Sequence, residues 1–255
     1  MDADYIIHRL REGLPLTKIA NELSCSRNTL YRHMEKQGVS PRDFKLNHDT
    51  FECIDDEHTA YWLGFLYADG NVMDKKGVHR ISFNLHERDE SHLHKFRDFI
   101  DCIVKPRPFR EFIRLSVHSQ KMVNDLISHG CVPRKSLILS PPGIEDHLIP
   151  HFMRGYWDGD GSFSVRSYQT KDSLYSSIVG TEVFLNWIQD VLIEASVIAN
   201  RKKLQPDGKI KTLKINGGFE SLNLVKYLYT GASVYLDRKY SKIKPFLEQE
   251  HAPNL

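Results

Sequence analysis

The sequence predicts an α+β protein: a small all-α module over residues 1–45, then two pseudo-symmetric copies, 46–145 and 146–255, of one αββαββα unit. Three observations predict it. An apolar-rich run that stops at an acid and a glycine occurs twice, as AYWLGFLYADGNV (60–72) and PHFMRGYWDGDGSF (150–163), with Asp69 and Asp160 standing 91 residues apart. The same order of helical and strand periodicities follows each run. A basic run falls on the second strand pair of each copy, KPRPFREFIR (105–114) and RKKLQPDGKIKTLKI (201–215). A repeat this long does not suit a solenoid and fits a duplicated domain.

Composition bounds the rest. A chain of 255 residues has ample apolar side chains for a core. Cys25, Cys53, Cys102 and Cys131 lie far apart, without the CxxC pairing of a zinc site or the density of a disulfide scaffold, and are read as reduced thiols. No apolar run approaches the ~18 residues of a membrane span, so no membrane partner is expected. The expectation is a soluble intracellular protein, cytoplasmic or nucleoid-associated and of phage or bacterial type, with an organelle as the other setting. Net charge is only +2; the basic runs say more, because they repeat.

The first elements are short. LPLTKIANELSCSRNTLYRHMEKQG gives a helix over about Thr17–Leu23, a turn at Ser24–Ser26 and a helix over Arg27–Lys36, with Ile19, Ala20 and Leu23 on one apolar face and Leu30 and Met34 on the other. Ser26 suits the N-cap and Gly38 the stop. Residues 4–37 thus resemble helix-turn-helix DNA-binding modules. That resemblance implies that the second helix enters the major groove, with Arg27, Asn28, Tyr31 and Arg32 as readers. Residues 39–50, with Pro41 and little periodicity, read as a linker.

In the first copy, Asp55, Asp56 and Glu57 open a helix, where acids suit the exposed amides, and HTAYWLGFLYA runs to Gly70. HRISFNLH alternates as a strand, ESHLHKFRDFIDCI reads as a helix, the basic region ends in the strand FIRLSVHS, and QKMVNDLISHG closes the unit. The second copy gives helix LIPHFMRGYWD, strands GSFSVRSYQ and LYSSIVG, helix TEVFLNWIQDVLIEA, the basic hairpin and helix FESLNLVKYLY. Gly64 and Gly155 sit mid-helix at matched positions, where they let two backbones approach, so the helices pack side by side and bring Asp69 and Asp160 near a shared axis.

WLGFLYADG (62–70) and MRGYWDGDG (153–161) resemble the two copies of the motif that names the LAGLIDADG homing endonucleases. The second departs from it at Arg154, Tyr156 and Trp157 and carries Gly159 for alanine. The likeness in element order covers about residues 50–248. It implies a monomer whose two halves form a saddle over DNA beneath the helix pair, and double-strand cleavage across the minor groove leaving short 3′ overhangs. Asp69 and Asp160 would be the metal ligands, with the carbonyls of Ala68 and Gly159 completing the shell.

Close acids near phosphates are held ionised by hard divalent cations, which favours Mg²⁺, with Mn²⁺ substituting. The resemblance also implies a basic residue near each scissile phosphate. Position in the repeat nominates His118 and Lys214, with Lys135 in PRKS and Lys239 in DRKY as others. Asp158 reads as a support of its helix end. Outward saddle residues expected at DNA are Arg80, Asn84, Lys105, Arg107, Arg110, Arg114, Ser164, Arg166, Tyr168, Arg201, Lys203, Lys209, Lys211, Lys214 and Asn216, divided between base edges and phosphates.

Three functions stay open: a metal-dependent, site-specific DNA endonuclease of a mobile element; a non-cleaving regulator on the same scaffold; and an RNA maturase acting on intron RNA. An intein setting is disfavoured by the Met1-Asp2 opening.

Overall fold

The structure, a computed structural model, describes residues 2–12, 14–38, 46–168, 171–216 and 218–248. Three short helices come first: α1 (Ala3–Arg11), α2 (Leu16–Glu22) and α3 (Arg27–Lys36). The first of these was not anticipated. Ser26 caps α3, its hydroxyl accepting from the Thr29 amide at 3.1 Å. Ile6, Leu10, Ile19, Ala20, Leu30 and Met34 form a core of their own, sharing no residue with the main one.

The first half comprises α4 (Glu57–Ala68), β1 (Asn71–Lys75), β2 (Val78–Leu85), α5 (Glu90–Phe99), β3 (Arg107–Phe109), β4 (Phe112–His118) and α6 (Gln120–Ser128). The second comprises α7 (Ile149–Asp160), β5 (Ser162–Tyr168), β6 (Lys171–Gly180), α8 (Glu182–Glu194), β7 (Gln205–Asp207), β8 (Ile210–Asn216) and α9 (Gly218–Tyr229). Each half holds one antiparallel four-stranded sheet of the same order, β1-β2-β4-β3 and β5-β6-β8-β7. The fold is therefore α+β with two equivalent halves.

Two further differences from the sequence reading stand out. A further helix, α10 (Asp237–Glu248), follows α9; its low hydropathy and internal Pro245 hide it from periodicity. The expected linker over 39–50 lies partly outside the described residues. Its last part is not free chain: Leu46 is buried, and the Asn47 amide donates to the Ile100 carbonyl at 2.8 Å.

The two halves meet along α4 and α7. A Cβ placed on Gly64 would stand 1.9 Å from the Phe152 carbonyl oxygen, and one on Gly155 would stand 1.9 Å from that of Tyr61. Only glycine permits this reciprocal approach. At the helix ends, a Cβ on Gly159 would lie 2.2 Å from the Cβ of Ala68, so the ends converge as well. Polar groups buried beside the contact add direction. Arg154, 1% exposed, donates to the Val234 and Leu228 carbonyls at 2.9 Å each and pairs with Glu57 at 2.6 Å. A buried guanidinium needs such a full set of acceptors. No helix among the described residues is long and apolar enough to cross a membrane.

Candidate active site

Asp69 is the C-cap of α4 and Asp160 the last residue of α7. Both carboxylates sit at the negative end of a helix dipole, the reverse of what stability favours, and both keep exposed side chains. Protein packed around them pushes both above the ordinary carboxylate range. For Asp160 the rise reaches about 6, first through desolvation and then through the neighbouring charge of Asp69.

Two buried lysines oppose that rise. Lys135 follows Arg134, whose left-handed φ of 58° turns the chain inward after α6; its ammonium is bonded to the Gly70 carbonyl. Lys239, in the first turn of α10, donates to the carbonyls of Trp157 at 2.8 Å and Gly159 at 3.0 Å and is bonded to that of Gly161. Those of Gly159 and Gly161 are among the carbonyls that a helix C-terminus leaves without an intrahelical partner, while that of Trp157 also accepts from the Gly161 amide at 2.9 Å. Gly70 and Gly161 directly follow the two acids, so the lysines occupy equivalent places in the halves. Both are 6% exposed. Burial lowers both, Lys239 to about 8, while Asp69 and Asp160 hold them up.

Contacts across the halves deliver Lys239. Arg238 grips Asp89 of the first half with two nitrogens at 3.0–3.2 Å, and Lys95 on α5 reaches Asp237 at 2.6 Å. Neither grip was visible in the sequence, because the partners stand some 140–150 residues apart. Asp158 is fully enclosed and accepts from Tyr61 Oη at 2.8 Å, Tyr229 Oη at 2.7 Å and the Leu236 amide at 2.7 Å. Its side chain fastens the halves together.

His118 and Lys214 occupy different ground. His118 is exposed at the end of β4, in register with Arg80. Lys214 is exposed on β8, where it lines a shallow recess with Ser162, Ser164, Arg166, Tyr175 and Asn216. The main charges acting on the acids come from Lys135, Lys239 and Arg238 instead. Equivalence within the strands therefore points to His118 and Lys214, whereas the cations that act most on the acid pair are Lys135 and Lys239, the other two lysines nominated.

The other nominated residues spread over both sheets. Arg114 bonds Asn84 at 2.6 Å and stacks on Phe109, while Arg166 lies over Tyr175. Lys105, Arg107, Arg110, Lys203 and Lys209 are exposed, Arg80 and Lys211 half-buried. Arg201 is turned toward α8, where it bonds Asn186 and Asp190, so it does not join the sheet face. The Tyr168 side chain lies outside the described residues. On α3, Arg27, Asn28, Tyr31 and Arg32 are all exposed.

Among the described residues no group of three or more His, Cys, Asp or Glu side chains gathers at one point. Two carboxylates suit a cation that retains several waters and takes its remaining ligands from a phosphate, which is the habit of Mg²⁺. Of the two carbonyls nominated beside them, that of Gly159 already accepts from Lys239.

This architecture, a duplicated αββαββα unit with its helix pair ending in two acids, has counterparts among solved structures. The LAGLIDADG meganuclease I-AabMI bound to uncleaved DNA aligns with a TM-score of 0.51 at 12% identity, covering 76% of this chain and 89% of that one. A lysine-to-alanine mutant of I-SmaMI aligns with a TM-score of 0.50 at 12% identity, covering 74% and 88%. Full-length DUF199/WhiA from Thermatoga maritima gives a TM-score of 0.48 at 15% identity over 82% and 66%. The likeness is one of fold. Residues 1–37 match the family described as the helix-turn-helix domain of resolvase. No curated protein matches the sequence.

Proposed function

We infer that the protein is a site-specific endonuclease that binds double-stranded DNA along its two sheets and hydrolyses one phosphodiester in each strand across the minor groove, leaving short 3′ overhangs. One observation carries this reading: two acids held together at paired helix ends, each beside a buried lysine, between two sheets with polar and basic outer faces. Neither acid helps its own helix, so their joint placement calls for another explanation, and a phosphodiester site supplies one. The DNA-bound state of the I-AabMI structure supports it.

Asp69 and Asp160 would hold Mg²⁺, or Mn²⁺ in its place. Such an ion supplies polarisation of a phosphoryl oxygen and a bound water of lowered pKa. Lys135 and Lys239 keep both carboxylates ionised by their charge and fix the helix ends through the backbone carbonyls they engage. Arg80, Asn84, Arg114, Arg166, Lys214 and Asn216 offer donors from the outer faces, and α3 adds contacts outside the cleaved segment. The chain carries both halves and so acts as a monomer.

The test is a pair of substitutions, Asp69→Asn and Asp160→Asn, assayed on duplex selected from a random library in Mg²⁺. Each should lower double-strand cutting by about 10²-fold or more while leaving affinity within a few-fold. Full cutting by both variants would remove the assignment. The helix-turn-helix match favours a second reading, a regulator that binds without cutting; wild-type protein that selects a sequence yet never cuts it in Mg²⁺ or Mn²⁺ would establish that one.

A further inference from the structure

The N-terminal module is joined to the rest of the molecule in a way that limits where it can work. Its first two helices are tied together by Glu22 on α2, which accepts from Tyr5 Oη of α1 at 3.0 Å and from Arg9 Nε and Nη2 of α1 at 3.1 and 2.7 Å, and α3 joins them through Leu30 and Met34 in the shared apolar core. With that acid neutralised inside the module, α3 presents Arg27, Asn28, Tyr31 and Arg32 outward.

The chain leaves α3 at Gly38 and is anchored again at Leu46. The anchor is held by bonds to the first half. Asn47 bonds Ile100, His48 Nδ1 lies 2.7 Å from Ser119 Oγ, and Lys121 reaches Asp49 at 3.4 Å and Glu52 at 2.9 Å.

Eight residues of chain, fully extended, span at most ~29 Å. That is shorter than one turn of duplex, ~34 Å. Passing outside the second half needs more, because the chain would have to clear the α4–α7 pair on which the halves meet, ~20 Å for two helices side by side, and then a second four-stranded sheet, ~14 Å across its strands.

We propose that α3 reads DNA on one side only of the cleavage centre, within about one helical turn beyond the first half, so that the full recognition site is asymmetric. The proposal rests on the endonuclease reading and adds to it a direction and a reach.

The experiment is selection of bound sequences from a long random duplex library, using the full chain with Asp69→Asn so that bound duplex is recovered uncut. A second selection adds Arg27→Ala, Asn28→Ala and Arg32→Ala. Two further selections mark the ends, Arg107→Ala with Arg110→Ala for the first half and Arg166→Ala with Lys214→Ala for the second. All these side chains are exposed, so the variants fold.

The full chain should select a central block and one outlying block no more than about one turn away. The α3 variant should lose the outlying block, keep the central one, and bind the full site about tenfold more weakly or worse. The end altered by the Arg107 and Arg110 changes should be the end that carries the outlying block. An outlying block at the other end, at both ends, or nowhere while the central block persists would overturn the proposal and leave the endonuclease reading standing. Selection of no sequence at all would end both.

Discussion

At the scale of single residues, the acid pair trades stability for placement. The Asp160 carboxyl is raised from an ordinary 3.8 to about 6, so between those values the folded protein binds a proton that the unfolded chain has already released. Stability attached to this group is complete below about pH 4 and is lost as the pH climbs through 6. Asp160→Asn removes the loss. Because the side chain is exposed, solvent screening trims the effect to roughly 1 kcal/mol, or about 2–4 °C in melting temperature at this chain length. Calorimetry should find the variant more stable than wild type at pH 7.5, with the difference gone at pH 4; a gain that persists undiminished at pH 4 would assign it to something other than the charge.

The acids were legible in the sequence because each ends a repeated run. The lysines that face them were legible only as alternatives. Lys135 and Lys239 lie in segments where the two copies differ, a short turn in one and α10 in the other, so matching the repeats favoured His118 and Lys214. Long-range bonding to backbone carbonyls leaves no periodic trace.

At the scale of elements, the pairing of α4 and α7 decides whether the site exists. An added methyl at Gly64 would meet the Phe152 carbonyl, which belongs to a helix backbone and cannot step aside as a side-chain tip would. Gly64→Ala should cost about 3 kcal/mol or more in urea denaturation, well beyond the small helix-propensity gain that alanine brings. An unchanged midpoint would mean that the helices do not touch there.

Helices α2 to α9 and the main strands were readable from the 3.6 and 2.0 periods, and Gly64 and Gly155 from their matched positions. The basic runs marked the strand pairs that contain β3 and β7 without giving those strands' bounds, and β1 was not picked out. β3 and β7 are three residues long with a central proline, and they exist through pairing with β4 and β8.

At the scale of the whole molecule, the two apolar cores have unequal prospects. Residues 46–248 share one large cluster, bound across the halves by Arg154, Asp158 and Arg238. The N-terminal module closes over six buried side chains in fewer than 40 residues, below the size at which a domain normally holds alone. Amide hydrogen exchange should show α1–α3 opening at a free energy several-fold lower than α4 and α7, and gaining protection once duplex is bound. Equal protection in both regions before DNA is added would contradict this. The sequence marked the module by its change of texture; the weakness of its core emerges only when the buried side chains are counted.

The contact between unlike helices has one more consequence. Aligning the repeats sets Leu63 opposite Arg154 and Tyr67 opposite Asp158. A first half mated with its own twin would therefore leave Glu57 without a guanidinium and Tyr61 without a carboxylate, while the glycine notch alone would still fit. Shape permits self-recognition and the buried charges forbid it, so severed halves of this chain would form a mutually exclusive couple, each able to tell its counterpart from its double.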